Sequence, residues 1–196
     1  MAELSKVRFG LSKAYYAPII VSGSTESYGT PVALPGAVSL TLNREGSESS
    51  TFWADNVSYY VVPGTNGGYT GTLTLALVPD SFRVAVLGEV VDDNGMQVEI
   101  TDAETKRFAL MYEVEGDADK KRYVFFNCMA QRIAPGANTK SDSTSPDTQD
   151  LEFTAIGKDF TFGGTGVIKN IVRGSAEEAA TAFATWYTTV PVPTKA

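Results

Sequence analysis

Four groups of polar residues have the types and spacing to invite a chemical reading. Asp92-Asp93-Asn94-Gly95, with Glu99 downstream, has the look of a calcium loop. A calcium hand needs ligands at alternate positions, a central Gly and a Glu at its twelfth position, and this order is absent. Asn-Gly is favoured at tight hairpin tips, so a solvated turn is expected there. Glu113, Glu115, Asp117 and Asp119 invite comparison with an acid/base pair. Such carboxylates flank a scissile bond across a cleft, which one strand face and its turn do not form, so a hydrated face is expected. Gly163-Gly164-Thr165-Gly166 has the glycines of a phosphate loop without the Lys-Ser/Thr or the helix that must follow, and reads as a turn. Lys120-Lys121-Arg122, beside Asp117 and Asp119, reads as a mixed-charge hairpin tip.

Composition removes whole classes. The 196 residues contain no histidine, so Ser-His-Asp and Cys-His nucleophiles and His-ligated zinc or haem are excluded. One cysteine, Cys128, forms no internal disulfide. Sixteen Lys and Arg against 23 Asp and Glu leave a net charge of −7, the wrong sign for a duplex-binding surface. No apolar run approaches the ~18 residues of a membrane span, and the opening MAELSKVRFG has no signal-peptide core. No catalytic residue, metal site or cofactor is expected, and the chain is read as a non-enzyme.

The elements that must position these residues are mostly strands. Eighteen Gly and nine Pro punctuate short alternating runs. Val38, Leu40 and Leu42 alternate with Ser39 and Thr41; Leu73, Leu75 and Leu77 alternate with Thr72, Thr74 and Ala76. Lys106–Glu115 and Arg122–Ile133 flank a polar turn as a hairpin, with Phe108, Leu110, Tyr112 and Val114 on one face. Arg107, Ala109, Met111, Glu113 and Glu115 form the other face. Leu151–Ile156 reads as a further strand. A short packed helix is expected at about 80–87, with Asp80 as N-cap and Gly88 as C′. A C-terminal helix is expected at about 176–187, opened by the Ser175/Glu178 capping box, with Ala179, Phe183 and Trp186 on one face. The length fits a single domain over 1–196 with an extended tail, 188–196.

Two long loops are expected, 44–71, an excursion containing a strand at Val57–Val62, and 135–149; loops of this length are usually functional or disordered. The first concentrates Phe52, Trp53, Tyr59, Tyr60 and Tyr69. Loop aromatics stack on sugars or bases, anchor protein interfaces, or fold back into the core. Without flanking Lys or Arg, nucleic-acid stacking is the weakest of these.

Taken in order, the motifs resemble the major tail proteins of long, non-contractile-tailed bacteriophages, from Lys6 to about Pro193. The likeness rests on Tyr16-Ala17-Pro18-Ile19, Pro35-Gly36-Ala37-Val38, Phe52-Trp53-Ala54-Asp55-Asn56 with Tyr59-Tyr60, and Asn66-Gly67-Gly68-Tyr69-Thr70-Gly71. Pro79-Asp80-Ser81-Phe82-Arg83, Val86-Leu87-Gly88-Glu89, Phe108-Ala109-Leu110, Tyr112-Glu113, Asn127-Cys128 with Arg132, Thr148 and Leu151–Ala155 continue it. The resemblance implies a mainly β, sandwich or barrel-like tail-tube fold whose subunits close into hexameric rings. Stacked rings make a hollow tube, in virions assembled in the host cytoplasm, that conducts DNA during ejection. Tape measure, tail terminator and distal tail proteins are the implied partners, with no membrane and no cofactor. Some members append an immunoglobulin-like domain, for which this chain has no room.

On this reading Phe52, Trp53, Asp55, Asn56, Tyr59, Tyr60 and Tyr69 are expected at subunit contacts. Glu113, Glu115 and Glu152 are expected to line the lumen, where carboxylates keep phosphate from binding. A carbohydrate-binding β-sandwich and another polymerising subunit are the alternatives.

Overall fold

A computed structural model describes residues 9–116, 121–137, 139, 146–162, 165–169, 171–175 and 177–193. The alternating runs form strands β1 (Leu11–Ser22), β2 (Thr25–Tyr28), β3 (Val32–Ala33), β4 (Ala37–Glu45), β5 (Ser50–Ala54), β6 (Val57–Val62) and β7 (Gly68–Leu75). After a helical segment come β8 (Val90–Val91), β9 (Gln97–Val98), β10 (Phe108–Val114), β11 (Arg122–Ala130) and β12 (Gln149–Ala155). Finally there are β13 (Lys158–Phe162), β14 (Thr165–Lys169) and β15 (Ile171–Gly174). The chain is mainly β, built on one large antiparallel sheet with few short helices.

That sheet runs β2-β1-β10-β11-β12-β7-β4, with β15 beside β11 and β3 beside β1. It curls until β4 lies near β1, yet no ladder joins them. The result is barrel-like with an open seam, and the outer edge of β4 has no strand partner among the described residues. Inside lie Tyr16, Leu73, Leu75, Phe108, Leu110, Phe125, Leu151 and Phe153, all almost wholly buried.

The helical segment supplies part of this core. Helix α1 (Asp80–Phe82) widens into a π-helical turn, Arg83–Leu87, and Gly88 stops it at φ 79° with its N–H on Arg83 O. Phe82 and Val86 are fully buried, as their i,i+4 spacing requires. Asp80 is not the N-cap: Pro79 holds that position, and Asp80 sits in the first turn without a capping bond. Its charge still complements the helix N-terminus.

The hairpin β10–β11 forms, but its second face is not hydrated. Ala109 and Met111, with Val124 and Phe126 from β11, lie beneath Trp186 and Val190 in a second apolar cluster. The C-terminal segment therefore covers the face that alternation alone leaves polar. Helix α2 spans only Ala180–Thr185, with Ala179 as its N-cap. Ser175 Oγ accepts from Glu178 N at 3.3 Å, so the expected capping pair closes a turn ahead of the helix instead of starting it.

Two parity expectations change as well. A bulge between Ala37 and Ser39 leaves Val38 exposed and packs Ala37 against the core. Because β7 ends at Leu75, Leu77 is exposed and Val78 is buried in its place. Asp117, Asp119, Lys120, the centre of the 135–149 loop, Gly163-Gly164 and residues 194–196 lie outside the described residues.

Candidate assembly surfaces

The segment 44–71 contains the strand expected at Val57–Val62. Beyond β4 and β7 it continues as a two-stranded ribbon, β5–β6, that pairs only with itself. Ser47 and Thr65 clasp its base: Ser47 N donates to Thr65 Oγ1 at 3.0 Å and Thr65 N to Ser47 Oγ at 3.1 Å. Gly67 N donates to Glu45 O at 2.9 Å, and Arg44 Nη2 to Thr65 O at 3.2 Å. At the tip Asp55 and Asn56 have φ of 51° and 63°. Two left-handed residues in a two-residue loop make the mirror-image turn that matches strand twist.

Every residue of β6 and nearly every residue of β5 is exposed. Trp53 is 64% and Tyr59 73% exposed, and Phe52 and Tyr60 stand opposite each other across the ribbon. Six of the expected contact residues, Phe52, Trp53, Asp55, Asn56, Tyr59 and Tyr60, therefore share one projecting hairpin. Tyr69 does not join them. It belongs to β7, is half-buried, and meets Phe125 edge-on at 5.5 Å between ring centroids. Its position one step inside the ladder turns it toward the core.

The three expected lumen carboxylates are also separated. Glu113 is only 6% exposed and accepts from Arg122 Nε at 2.7 Å, Lys13 Nζ at 3.1 Å and Tyr187 OH at 3.3 Å. Lys13 reaches it from a bulged stretch of β1, at φ 49°. Burial pushes the Glu113 carboxyl up, but hydrogen bonds from Arg122 and Lys13 outweigh it and hold the group below the usual carboxylate range. Burial and the Glu113 charge push the Tyr187 phenol up. Arg122 also donates to Phe183 O at 2.5 Å and lies 3.5 Å from the Phe183 ring centroid, tying the C-terminal segment to the sheet. Glu113 is thus a structural ion-pair acceptor, not an open carboxylate. Glu115 is exposed in the turn after β10.

Glu152 stands exposed on β12, on a hydroxyl-rich face. Thr72 is opposite Glu152, Thr74 opposite Asp150, and Thr41 opposite Thr72 across β12-β7-β4. Thr74 Oγ1 donates to Asp150 Oδ1 at 2.7 Å.

A second exposed apolar feature lies outside the expected surfaces. In the β8–β9 hairpin and just after it, Val90, Val91, Met96, Val98 and Ile100 are each 43–58% exposed. Its tip is the Asp92–Gly95 turn: Asp92 Oδ1 accepts from Asn94 N at 2.9 Å and Met96 N at 2.7 Å. Those backbone bonds, Met96 first, draw the Asp92 carboxyl below its ordinary range. Arg132 braces the segment after β9, donating to Glu99 Oε1 at 2.7 Å and to the carbonyls of Ile100 and Ala103 at 3.0 Å. The sequence signal for this surface is Val90-Val91 beside a turn, where a solvated loop has no need of paired valines.

Among the described residues no cluster of three or more metal-ligating side chains is present. No helix among them is long and apolar enough to cross a membrane. No family model matches the chain, and no curated protein matches it. Among solved structures it is similar to the tube-terminating cap of the anti-feeding prophage. That match covers 89% of this chain and 97% of the cap, at 11% identity and a TM-score of 0.44. A likeness of that degree carries no role across.

Proposed function

We propose that this chain is a structural, non-enzymatic subunit of a bacteriophage tail that assembles with copies of itself into stacked hexameric rings, forming a hollow tube that passes DNA. The observation that carries the reading is the projecting β5–β6 ribbon with aromatic side chains bare on both faces. A large ring buries about 150–250 Å² when covered. With roughly two-thirds of that still exposed, docking Phe52, Trp53, Tyr59 and Tyr60 removes on the order of 500 Å² from water. A standard interface takes ~800 Å² per partner, so this hairpin supplies most of one.

The open seam adds a second joint. An unpaired edge strand such as β4 invites aggregation in a monomer and serves as a splice in a ring. The order of sequence motifs supports the tail assignment. The lumen-facing surface is then that of β4-β7-β12, not the covered Glu113. Its hydroxyls with Asp150 and Glu152 present neutral or repelling groups to phosphate.

Electron microscopy of the concentrated protein, beside tails isolated from virions, tests the reading. Hollow stacked rings containing this subunit are the expected result. Virion tails without the subunit, together with a concentrated protein that stays monomeric and binds a glycan array, refute it.

A further inference from the structure

Two asparagines of the chain precede a glycine, Asn66 and Asn94, and both are exposed. An Asn-Gly pair is prone to cyclise, because glycine has no side chain to keep its backbone nitrogen away from the neighbouring amide carbon. The fold treats the two pairs differently.

Asn66-Gly67 stands at the mouth of the large sheet. Gly67 N donates to Glu45 O at 2.9 Å, and a Cβ built on Gly67 would lie 3.5 Å from Glu45 O and from Gly46 N. The next residue, Gly68, is buried at the start of β7 and pairs with Glu45. Freeing the Gly67 nitrogen therefore means unpairing the end of the β4–β7 ladder.

Asn94-Gly95 belongs to the tip of β8–β9, two strands of two residues each that pair only with one another. A hairpin that small is marginal by itself and opens locally at little cost. Gly95 N donates to Asp92 O at 3.0 Å, a bond within the turn itself. A Cβ built on Gly95 would meet nothing within 4 Å, so a ring has room to form. Asp92 is what restrains the tip. Its Oδ1 accepts from Asn94 N at 2.9 Å and Met96 N at 2.7 Å, and its Oδ2 lies 3.4 Å from Asn94 Nδ2.

We propose that Asn94 is a site of spontaneous deamidation whose rate the Asp92 brace controls. Gly95 N attacks Asn94 Cγ and closes a succinimide ring. The Cγ–Nδ2 bond breaks, and Nδ2 leaves as ammonia with the proton from Gly95 N. Water then opens the ring. Attack at Cγ leaves an aspartate, and attack at the main-chain carbonyl leaves an iso-aspartate whose backbone runs through the side chain. Either product adds a carboxylate beside Asp92 and Asp93. The iso-aspartate also lengthens the backbone of a turn that the Asp92 bonds hold closed, and so loosens the hairpin that presents Val90, Val91, Met96 and Val98. The reaction needs only water and stands apart from the tube reading.

The test is incubation at neutral pH, folded and in parallel in urea, with tryptic peptides followed by mass spectrometry. Arg83 lies between the two asparagines, so trypsin separates them. In urea both amides are expected to be lost at similar rates, because both precede glycine. In the folded protein Asn94 is expected to convert while Asn66 is retained, with aspartate and iso-aspartate forms of its peptide eluting apart. Asp92→Ala is expected to bring the folded rate at Asn94 toward the urea rate, and Asn94→Gln to remove the conversion from that peptide. Folded protein that keeps the Asn94 amide while urea removes it, or that loses Asn66 as fast as Asn94, overturns the site. Asp92→Ala protein that converts no faster than wild type overturns the brace.

Discussion

Trp186→Ala probes the feature that sequence alternation did not reveal, the cover over the outer face of β10–β11. Trp186 is 1% exposed among Met111, Val124 and Phe126, and Gly174 at the end of β15 lies directly beneath its ring. A Cβ built on Gly174 would stand 3.1 Å from Trp186 Cζ3, which shows how closely sheet and ring approach. Truncating a buried Trp costs about 3–5 kcal/mol. The indole N–H, however, is buried without a hydrogen-bond partner among the described residues, and deleting such a donor returns on the order of 1 kcal/mol. The net loss is about 3 kcal/mol, or a Tm lower by roughly 6–12 °C for a chain of this size. Trp186→Phe keeps most of the ring contacts and removes the unpaired donor, so it is expected within about 1 kcal/mol of wild type. Urea titration followed by circular dichroism measures both. A Trp186→Ala protein as stable as wild type refutes the covered face. If Trp186→Phe costs as much as the alanine, the N–H is bonded and its removal returns nothing.

Arg122→Met strands the Glu113 carboxylate with only Lys13 and Tyr187, and is expected to cost about 3 kcal/mol in urea titration, near the low end for breaking a buried pair. Because the Glu113 carboxyl is held below its ordinary range when folded, its contribution is complete above the unfolded carboxyl's pKa. That contribution is lost as pH falls through the lowered native value, so Glu113→Gln should flatten the acid limb of a stability–pH curve. Gly71→Ala brings a Cβ to 2.7 Å from Phe153 Cζ and 2.8 Å from Leu42 Cδ2, and is expected to cost about 1–3 kcal/mol by thermal melting. Trp53→Ser with Tyr59→Ser should leave monomer stability within about 0.5 kcal/mol, since both side chains are exposed, while abolishing assembly. Asp150→Lys with Glu152→Lys should leave tubes intact by microscopy and slow DNA release; unchanged infection kinetics would remove that face from the lumen.

Much of the fold was legible because it is written in short-range pattern. Alternation located β7, β10 and β12, the i,i+4 pair Phe82 and Val86 placed the buried turn, and Gly88 ended it. The cluster of aromatics marked the ribbon that the structure projects into solvent. Absence of histidine excluded whole reaction classes without any coordinates. Each of these depends only on neighbours in the chain, whose geometry period and backbone sterics dictate.

Tertiary structure decided whatever depends on distant segments meeting. Alternation sorts β10 into two faces but does not say that Trp186 and Val190 return to bury the second. Glu113 looks solvated until Lys13, Arg122 and Tyr187 converge on it from three other parts of the chain. One bulge reversed the parity of Val38, and one step along the ladder moved Tyr69 from an expected contact to the core. The open seam follows from how the sheet curls, bringing β4 near β1 without a ladder. Periodicity fixes which residues share a face; only the folded chain determines what, if anything, covers it.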